Sequence, residues 1–321
     1  MLRVHANPPA GALQVCMKVV LPVTSPLFVA AMRLLPSGVA LVLFAGARGR
    51  AQPSGAAAWA AVALFGLVDG TLFQGCLAQG LERTSAGLGS VIIDSQPLSV
   101  ALLAAALFGE RVSPSATVGL LLGVAGLVVL ELPAEGASTA QWLGDAAAAA
   151  AAGAGASGGG TLWDRGEWWM LLAAQAMALG TVGVRGVVAL GVDPIMATGW
   201  HMVLGGAPLL ALSVAREPAL YARLAAEGLP PGDVALLAYA SLLGGALAYA
   251  AFFSAASRGS LVRLSSLTFL TPVFAAVAGY LALGETLTPQ QLLGAAITLA
   301  GITLVTVKGE GGARGDADEA R

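Results

Sequence analysis

The feature that most constrains this chain is a series of apolar runs, most of them about as long as a bilayer is thick. They cover Phe28–Ala45, Ala56–Leu77, Ser85–Phe108, Ala116–Leu130, Trp168–Leu190, Ile195–Val214, Val234–Phe253, Leu261–Leu283 and Gln291–Val307. Crossing a hydrocarbon core of about 30 Å takes about 20 predominantly apolar helical residues. Lipid cannot satisfy open backbone, so runs of this length are helices. The chain is therefore expected to be an all-α integral membrane protein. Its charge content agrees: 11% of residues are charged and the mean hydropathy is +0.81, whereas a soluble domain carries about 25% charged residues. A net charge of −2 gives no basic surface for a nucleic-acid partner. Cys16 and Cys76, the two cysteines, lie in apolar surroundings and suggest neither a disulfide framework nor a metal site. No residue pattern calls for a cofactor.

Ahead of the first full run lies a shorter apolar piece, Gly11–Val23, interrupted by Lys18. The opening "MLRVHANPPA" contains prolines, and no cleavage-site pattern follows an apolar core, so it does not read as a signal or transit peptide. The short piece reads as a truncated or degraded first helix.

The runs repeat. "FGERVSPSATVGLLLGVAGLVVLEL" resembles "LGETLTPQQLLGAAITLAGITLVTV", pairing Gly109, Glu110, Pro114, Gly119 and Gly126 with Gly284, Glu285, Pro289, Gly294 and Gly301, each 175 residues on. The same offset carries Gly70, Arg83, Ser90 and Pro97 onto Gly245, Arg258, Ser265 and Pro272. Earlier in each half the offset is 168: "SPLFVAAMRLLPSG" aligns with "DPIMATGWHMVLGG", so Arg33 corresponds to His201. Internal repeats of this kind decide the fold before any local reading does. The expected organisation is a first repeat over 11–132, a low-complexity Ala/Gly linker over 133–166, a second repeat over 167–307 and a polar tail over 308–321. The linker contains "GASGG", which matches the G-x-S-x-G hydrolase pattern but lacks the strand–turn–helix setting that chemistry needs. An odd number of helices per repeat inverts the second half relative to the first. With both termini on the inner side, basic residues are in excess on the inner loops and tails, as the positive-inside rule requires.

Two five-helix repeats that each carry this Pro, Gly-Glu, Pro and Gly pattern resemble the EamA-type repeat of the drug/metabolite transporter superfamily. "MKVVLPVTSPLFVAAMRLLPSG" and "GLGSVIIDSQPLSVALLAAALFGE" are especially similar to plant and cyanobacterial members related to the walls-are-thin proteins. The resemblance covers Cys16 to Lys308 without the linker and departs at helix one. It implies about ten transmembrane helices in two inverted repeats, with transport of small organic metabolites through a central pathway. It also implies a chloroplast envelope location, the plasma membrane being the alternative.

An ionisable group inside a membrane costs about 2.5–3.5 kcal/mol on insertion scales and is a functional candidate for that reason. Asp94 sits mid-run, with Ser90 and Pro97 at helical spacing on its face. Proline frees a carbonyl one turn back, so carboxylate and loosened backbone together suit a substrate amine or a coupling proton. The competing role is an ion pair that only fixes packing. The repeat counterpart of Asp94 is Phe269, so this charge is not shared by the two halves. Arg33 and His201 are candidates for an anionic group or a partner carboxylate. Asp69 is a second intramembrane carboxylate, followed on its run by Gln74. Trp200 and Tyr249 are candidate pathway residues, although membrane aromatics also mark interfaces. The recurring Pro97, Gly109 and Glu110, with Pro272, Gly284 and Glu285, read as shared architecture. Gly119, Gly123 and Gly126, with Gly294 and Gly301, permit close helix approach, either between halves or between protomers of a homodimer.

These residues favour a secondary transporter working by alternating access in the lipid bilayer on a small organic solute, with a proton as candidate coupling ion. There is no P-loop to couple ATP. A non-transporting assembly or pore protein is the alternative. An intramembrane enzyme is disfavoured, since His5 and His201 are the only histidines and no credible nucleophile–base pair or metal-ligand cluster accompanies them.

Overall fold

The computed structural model describes residues 20, 23–84, 86–131, 144, 162–274 and 288–307. Most of the expected first helix, most of the linker, Gly284, Glu285 and the polar tail lie outside the described residues. Every regular element among the described residues is helical. In chain order these are α1 (Pro26–Ala47), α2 (Gly55–Arg83), α3 (Ala86–Asp94), α4 (Gln96–Phe108), α5 (Pro114–Glu131), α6 (Gly166–Ala189), α7 (Pro194–Arg216), α8 (Pro218–Glu227), α9 (Pro231–Ala256), α10 (Leu261–Phe274) and α11 (Pro289–Val307). The expected apolar runs fall on these helices to within a few residues where they are described; the end of the Leu261–Leu283 run lies outside the described residues. Two features differ from the sequence reading. The third run is two helices rather than one, and α8 occupies a stretch read as loop.

Local chemistry explains the starts. Ser25 accepts a hydrogen bond from the Phe28 amide, and Asp193, its equivalent in the second repeat, accepts from Ile195 and Met196. Pro26 and Pro194 follow, where a missing N–H costs nothing. The repeats also share their irregularities. α2 is π-helical over Gly66–Leu72, and α9 is π-helical over Ala240–Leu247, the matching place at the 175-residue offset. α3 ends at Asp94 and α4 begins at Gln96, one residue before Pro97. In α10 a 3₁₀ stretch, Leu267–Phe269, precedes the corresponding Pro272. A proline that withholds an i−4 hydrogen bond breaks or tightens a helix at this point.

The helices form two compact units. The first comprises Leu13–Glu82 and Leu172–Gly259; the second comprises Arg83–Leu171 and Ser260–Arg321 with the first dozen residues. Each unit draws helices from both repeats.

In the first unit α1 and α7 pack along their lengths. They run antiparallel, because Arg50 after α1 pairs with Asp193 before α7 at 2.6 Å, while Ser25 before α1 bonds Glu217 after α7. Two repeat-equivalent helices lying antiparallel are the direct mark of inversion. Each also seats the other repeat's π-segment. Ser37 of α1 donates to the Ser241 carbonyl at 2.6 Å, and Ser241 donates to the Met32 carbonyl at 2.8 Å. Gly205 of α7, the counterpart of Ser37, meets Gly66 and Gly70 backbone to backbone.

In the second unit α5 packs on α11, also antiparallel. A Cβ at Gly119 would lie 2.5 Å from the Gly301 carbonyl, and one at Gly294 would lie 2.5 Å from the Leu130 amide nitrogen. Gly126 faces Thr298, and Gly123 leaves room for the Phe269 ring. The glycine stripes therefore join the two halves of one chain. Gly109 ends α4 with φ +64°, a left-handed conformation suited to glycine. Glu110 then accepts from Ser260 Oγ and the Leu261 amide, capping the start of α10.

Candidate functional site

Lipid-embedded helices rarely bury charge, so the polar core of the first unit stands out. Its π-segment in α2 places Asp69 inward at 1% exposure, and α7 places His201 at 0%. The Asp69 Oδ2 oxygen lies 3.2 Å from His201 Nε2. His201 Nδ1 lies 2.6 Å from the Thr198 carbonyl. A carbonyl only accepts, so Nδ1 carries hydrogen and Nε2 faces the carboxylate. Both atoms are buried, and neither has a hydrogen-bond partner elsewhere. Phe65 stacks on the imidazole with centroids 4.2 Å apart, and Phe253 meets both rings edge-on. Water is thereby kept from one face of the pair. α6 passes at backbone distance: a Cβ at Gly180 would collide with the Asp69 side chain.

Around that pair the repeats meet. Arg33 Nη1 lies 3.5 Å from Gln74 Oε1, and Gln74 Nε2 donates to the Tyr249 hydroxyl at 3.0 Å. Gln74 and Tyr249 are 175 residues apart, the offset of the repeat, just as Arg33 and His201 are repeat counterparts. The cluster is thus made of two equivalent positions from each half, diversified into a guanidinium, an imidazole, an amide and a phenol. Asp69 is the asymmetric member, since its counterpart is Gly244.

Six of the seven candidate binding residues lie in this unit, and five of them form the cluster. The sixth, Trp200, turns away. Its indole donates to Gln52 Oε1 at 2.7 Å and packs edge-on against Trp59, the arrangement of an amphipathic ring at a polar boundary. Asp94, the seventh, belongs to the second unit. It is half-buried at the end of α3 and accepts from Ser90 Oγ at 3.2 Å.

The sequence reading passed over Phe65, Phe253, Gly180 and Gln96. The ring and glycine contacts arise only when separate helices meet. Gln96 had a signal, since an amide directly before a membrane proline is polar where packing wants apolar. Among the described residues no group of three or more His, Cys, Asp or Glu side chains could hold a metal.

Comparison with known proteins agrees with this architecture. The model of the EamA-like transporter family matches residues 9–132 and 164–307. A WAT1-related chloroplastic protein of Arabidopsis thaliana is 54% identical over 92% of this chain, which spans 66% of that relative's length. An uncharacterized transporter of Synechocystis is 47% identical over 92% of this chain and 86% of its own. A solved crystal structure shares the fold, with a TM-score of 0.71 over 93% of this chain and 94% of its own, at 17% identity. With both halves matched and repeat-equivalent helices antiparallel within each unit, the chain is an integral membrane protein that belongs to the EamA-like transporter family.

Proposed function

We propose that this protein is a secondary transporter that moves a small organic metabolite by alternating access between its inverted repeats, with the Arg33–Asp69–Gln74–His201–Tyr249 cluster as its polar centre. The observation that carries this reading is the buried Asp69–His201 contact, built where a π-segment of one repeat meets the second helix of the other. A buried ion pair is a poor source of stability, and charge within a membrane marks solute or proton pathways. π-Segments recur at functional sites because they interrupt the regular helical ladder.

In this reading Asp69 and His201 take up and release the coupling proton between Oδ2 and Nε2, while Arg33, Gln74 and Tyr249 offer the solute a cation, an amide and a hydroxyl. The kinship with a chloroplastic relative supports placement in the chloroplast envelope. The test is reconstitution into proteoliposomes with labelled metabolites and an imposed pH gradient. Saturable counterflow is expected, accelerated by the gradient in the parent protein and insensitive to it in Asp69→Asn and His201→Gln. Absence of flux across a broad metabolite panel would remove the transport reading. A gradient response that survives both substitutions would remove the coupling role.

A further inference from the structure

A groove opens in the first unit between α1, the start of α7 and α9. Its volume is about 420 Å³, within the roughly 300–1,000 Å³ range of ligand pockets. Leu41 and Ala246 form its buried floor, while Phe44, Leu242 and Leu247 stand exposed along its rim. Large apolar side chains left exposed on membrane-spanning helices meet lipid, so the groove opens toward the bilayer.

Its two ends differ in chemistry. At one end Leu242 adjoins Ser241, whose bond to Ser37 lies near the middle of α1. At the other, Ser254 lies twelve residues further along α9, about 18 Å on a helix. That is close to one leaflet of a hydrocarbon core about 30 Å thick. Phe44 and Ile195 set this second end level with the end of α1 and the start of α7, the side that the positive-inside excess makes inner. Two exposed arginines continue the lining there. Arg48 follows Phe44 by one helical turn and holds its guanidinium 5.2 Å from the centre of that ring. Arg258 follows Ser254 by four residues, across a Ser257 that keeps helical angles. The carboxylate at this end, Asp193, is already engaged: Oδ2 takes Arg50, and Oδ1 accepts from the Ile195 and Met196 amides. An apolar cleft of leaflet depth thus ends at a mouth with excess positive charge.

We infer that this groove binds one anionic phospholipid of the inner leaflet. An acyl chain lies on Leu41 and Ala246, and Arg48 and Arg258 hold the headgroup phosphate. Basic pockets between membrane helices on the inner side suit anionic headgroups, and the planar guanidinium matches phosphate oxygens. A zwitterionic choline headgroup would add a cation beside the arginines. A second copy of the chain is the poorer occupant. A two-fold axis along the membrane normal would bring its own Arg48 and Arg258 to the same level, like charge against like. The inference concerns lipid binding and does not rest on the transport reading.

The experiment is native mass spectrometry of the purified full chain released from micelles holding equal amounts of dioleoylphosphatidylglycerol and dioleoylphosphatidylcholine, with thermal unfolding in the same mixtures. The parent protein is expected to retain one phosphatidylglycerol in preference to phosphatidylcholine and to unfold at a higher temperature with it. Arg48→Gln and Arg258→Gln should each weaken retention about fivefold, the loss of one basic residue near an anionic headgroup. Arg216→Gln, an exposed arginine at the far end of α7, is the control and should change nothing. Ala251→Phe fills the groove from its exposed wall and should displace the lipid with both arginines intact. Equal retention of the two lipids, a preference that survives the double arginine variant, or an equal loss in Arg216→Gln would each overturn the inference. So would undiminished retention in Ala251→Phe, or a lipid-free dimer that Ala251→Phe dissociates, which would assign the groove to a second copy.

Discussion

At the scale of single residues, the Asp69–His201 contact sets two ionisable groups side by side at 1% and 0% exposure. Each group is tolerable only because the other is present. Replacing Asp69 alone with Leu leaves a buried imidazole nitrogen facing hydrocarbon, a change that costs about 3–5 kcal/mol where one member of a buried pair is lost. The double substitution Asp69→Leu with His201→Leu removes both polar groups, and its unfolding temperature in detergent is expected to recover most of the single variant's loss. A double variant as unstable as the single one would mean that the pair holds the unit together rather than serving function. Tyr249→Phe removes the hydroxyl that hydrogen-bonds both Gln74 and the Arg33 guanidinium, and it is expected to lower the unfolding temperature by the equivalent of about 1.5–3 kcal/mol, the range for a bond to a charged group.

At the scale of elements, the two π-segments and the proline breaks decide where backbone comes close enough to build sites. α7 reaches α2 only because Gly205, Gly66 and Gly70 carry no side chains at their crossing; a Cβ at Gly205 would fall 2.6 Å from Gly70 Cα. Backbone on both sides cannot yield, so Gly205→Ala is expected to cost about 1–3 kcal/mol, as overpacking does, and to lower the unfolding temperature. Gly183→Ala on α6 is the control. A Cβ there meets nothing within 4 Å, and the substitution should leave stability unchanged or improve it by about 0.5–1 kcal/mol, the helix preference of alanine over glycine. The matching position of the π-segments at the repeat offset shows that these irregularities are inherited with the duplication. Ser37 and Ser241 do with hydroxyls in one half what Gly205 and Gly66 do with bare backbone in the other.

At the scale of the whole molecule, inversion is the organising property. Because α1 and α7 are equivalent in sequence and antiparallel in space, the residues after one lie beside the residues before the other. Cysteines placed at Ala51, after α1, and at Ala219, after α7, are therefore expected to react with a membrane-impermeant maleimide from opposite faces of sealed vesicles. Labelling of both from one face would contradict the inverted arrangement. The positive-inside excess assigns Ala51 to the inner face and Ala219 to the outer one. The interleaved composition of the two units has the same origin, since each inverted half completes its packing with elements of the other.

How much of this was legible follows from what each signal needs. The approximate places of the described apolar helices depend on runs of apolar residues, which lipid demands locally, and the sequence alone determined them along with the duplication and its offsets, though not the break at Ser95 or the helix α8. Inversion followed from counting helices per repeat. The sequence also marked Arg33, Asp69, Gln74, Asp94, His201 and Tyr249, because ionisable and polar groups are conspicuous in oil. It could not say which of them meet. The partnership of Asp69 with His201, the Gln74–Tyr249 bond across the repeat and the retreat of Trp200 to Trp59 are contacts among groups from separate helices. Only tertiary structure decided them, because helix rotation and crossing are fixed by where small residues let backbones touch, and a π-turn shifts every side chain beyond it.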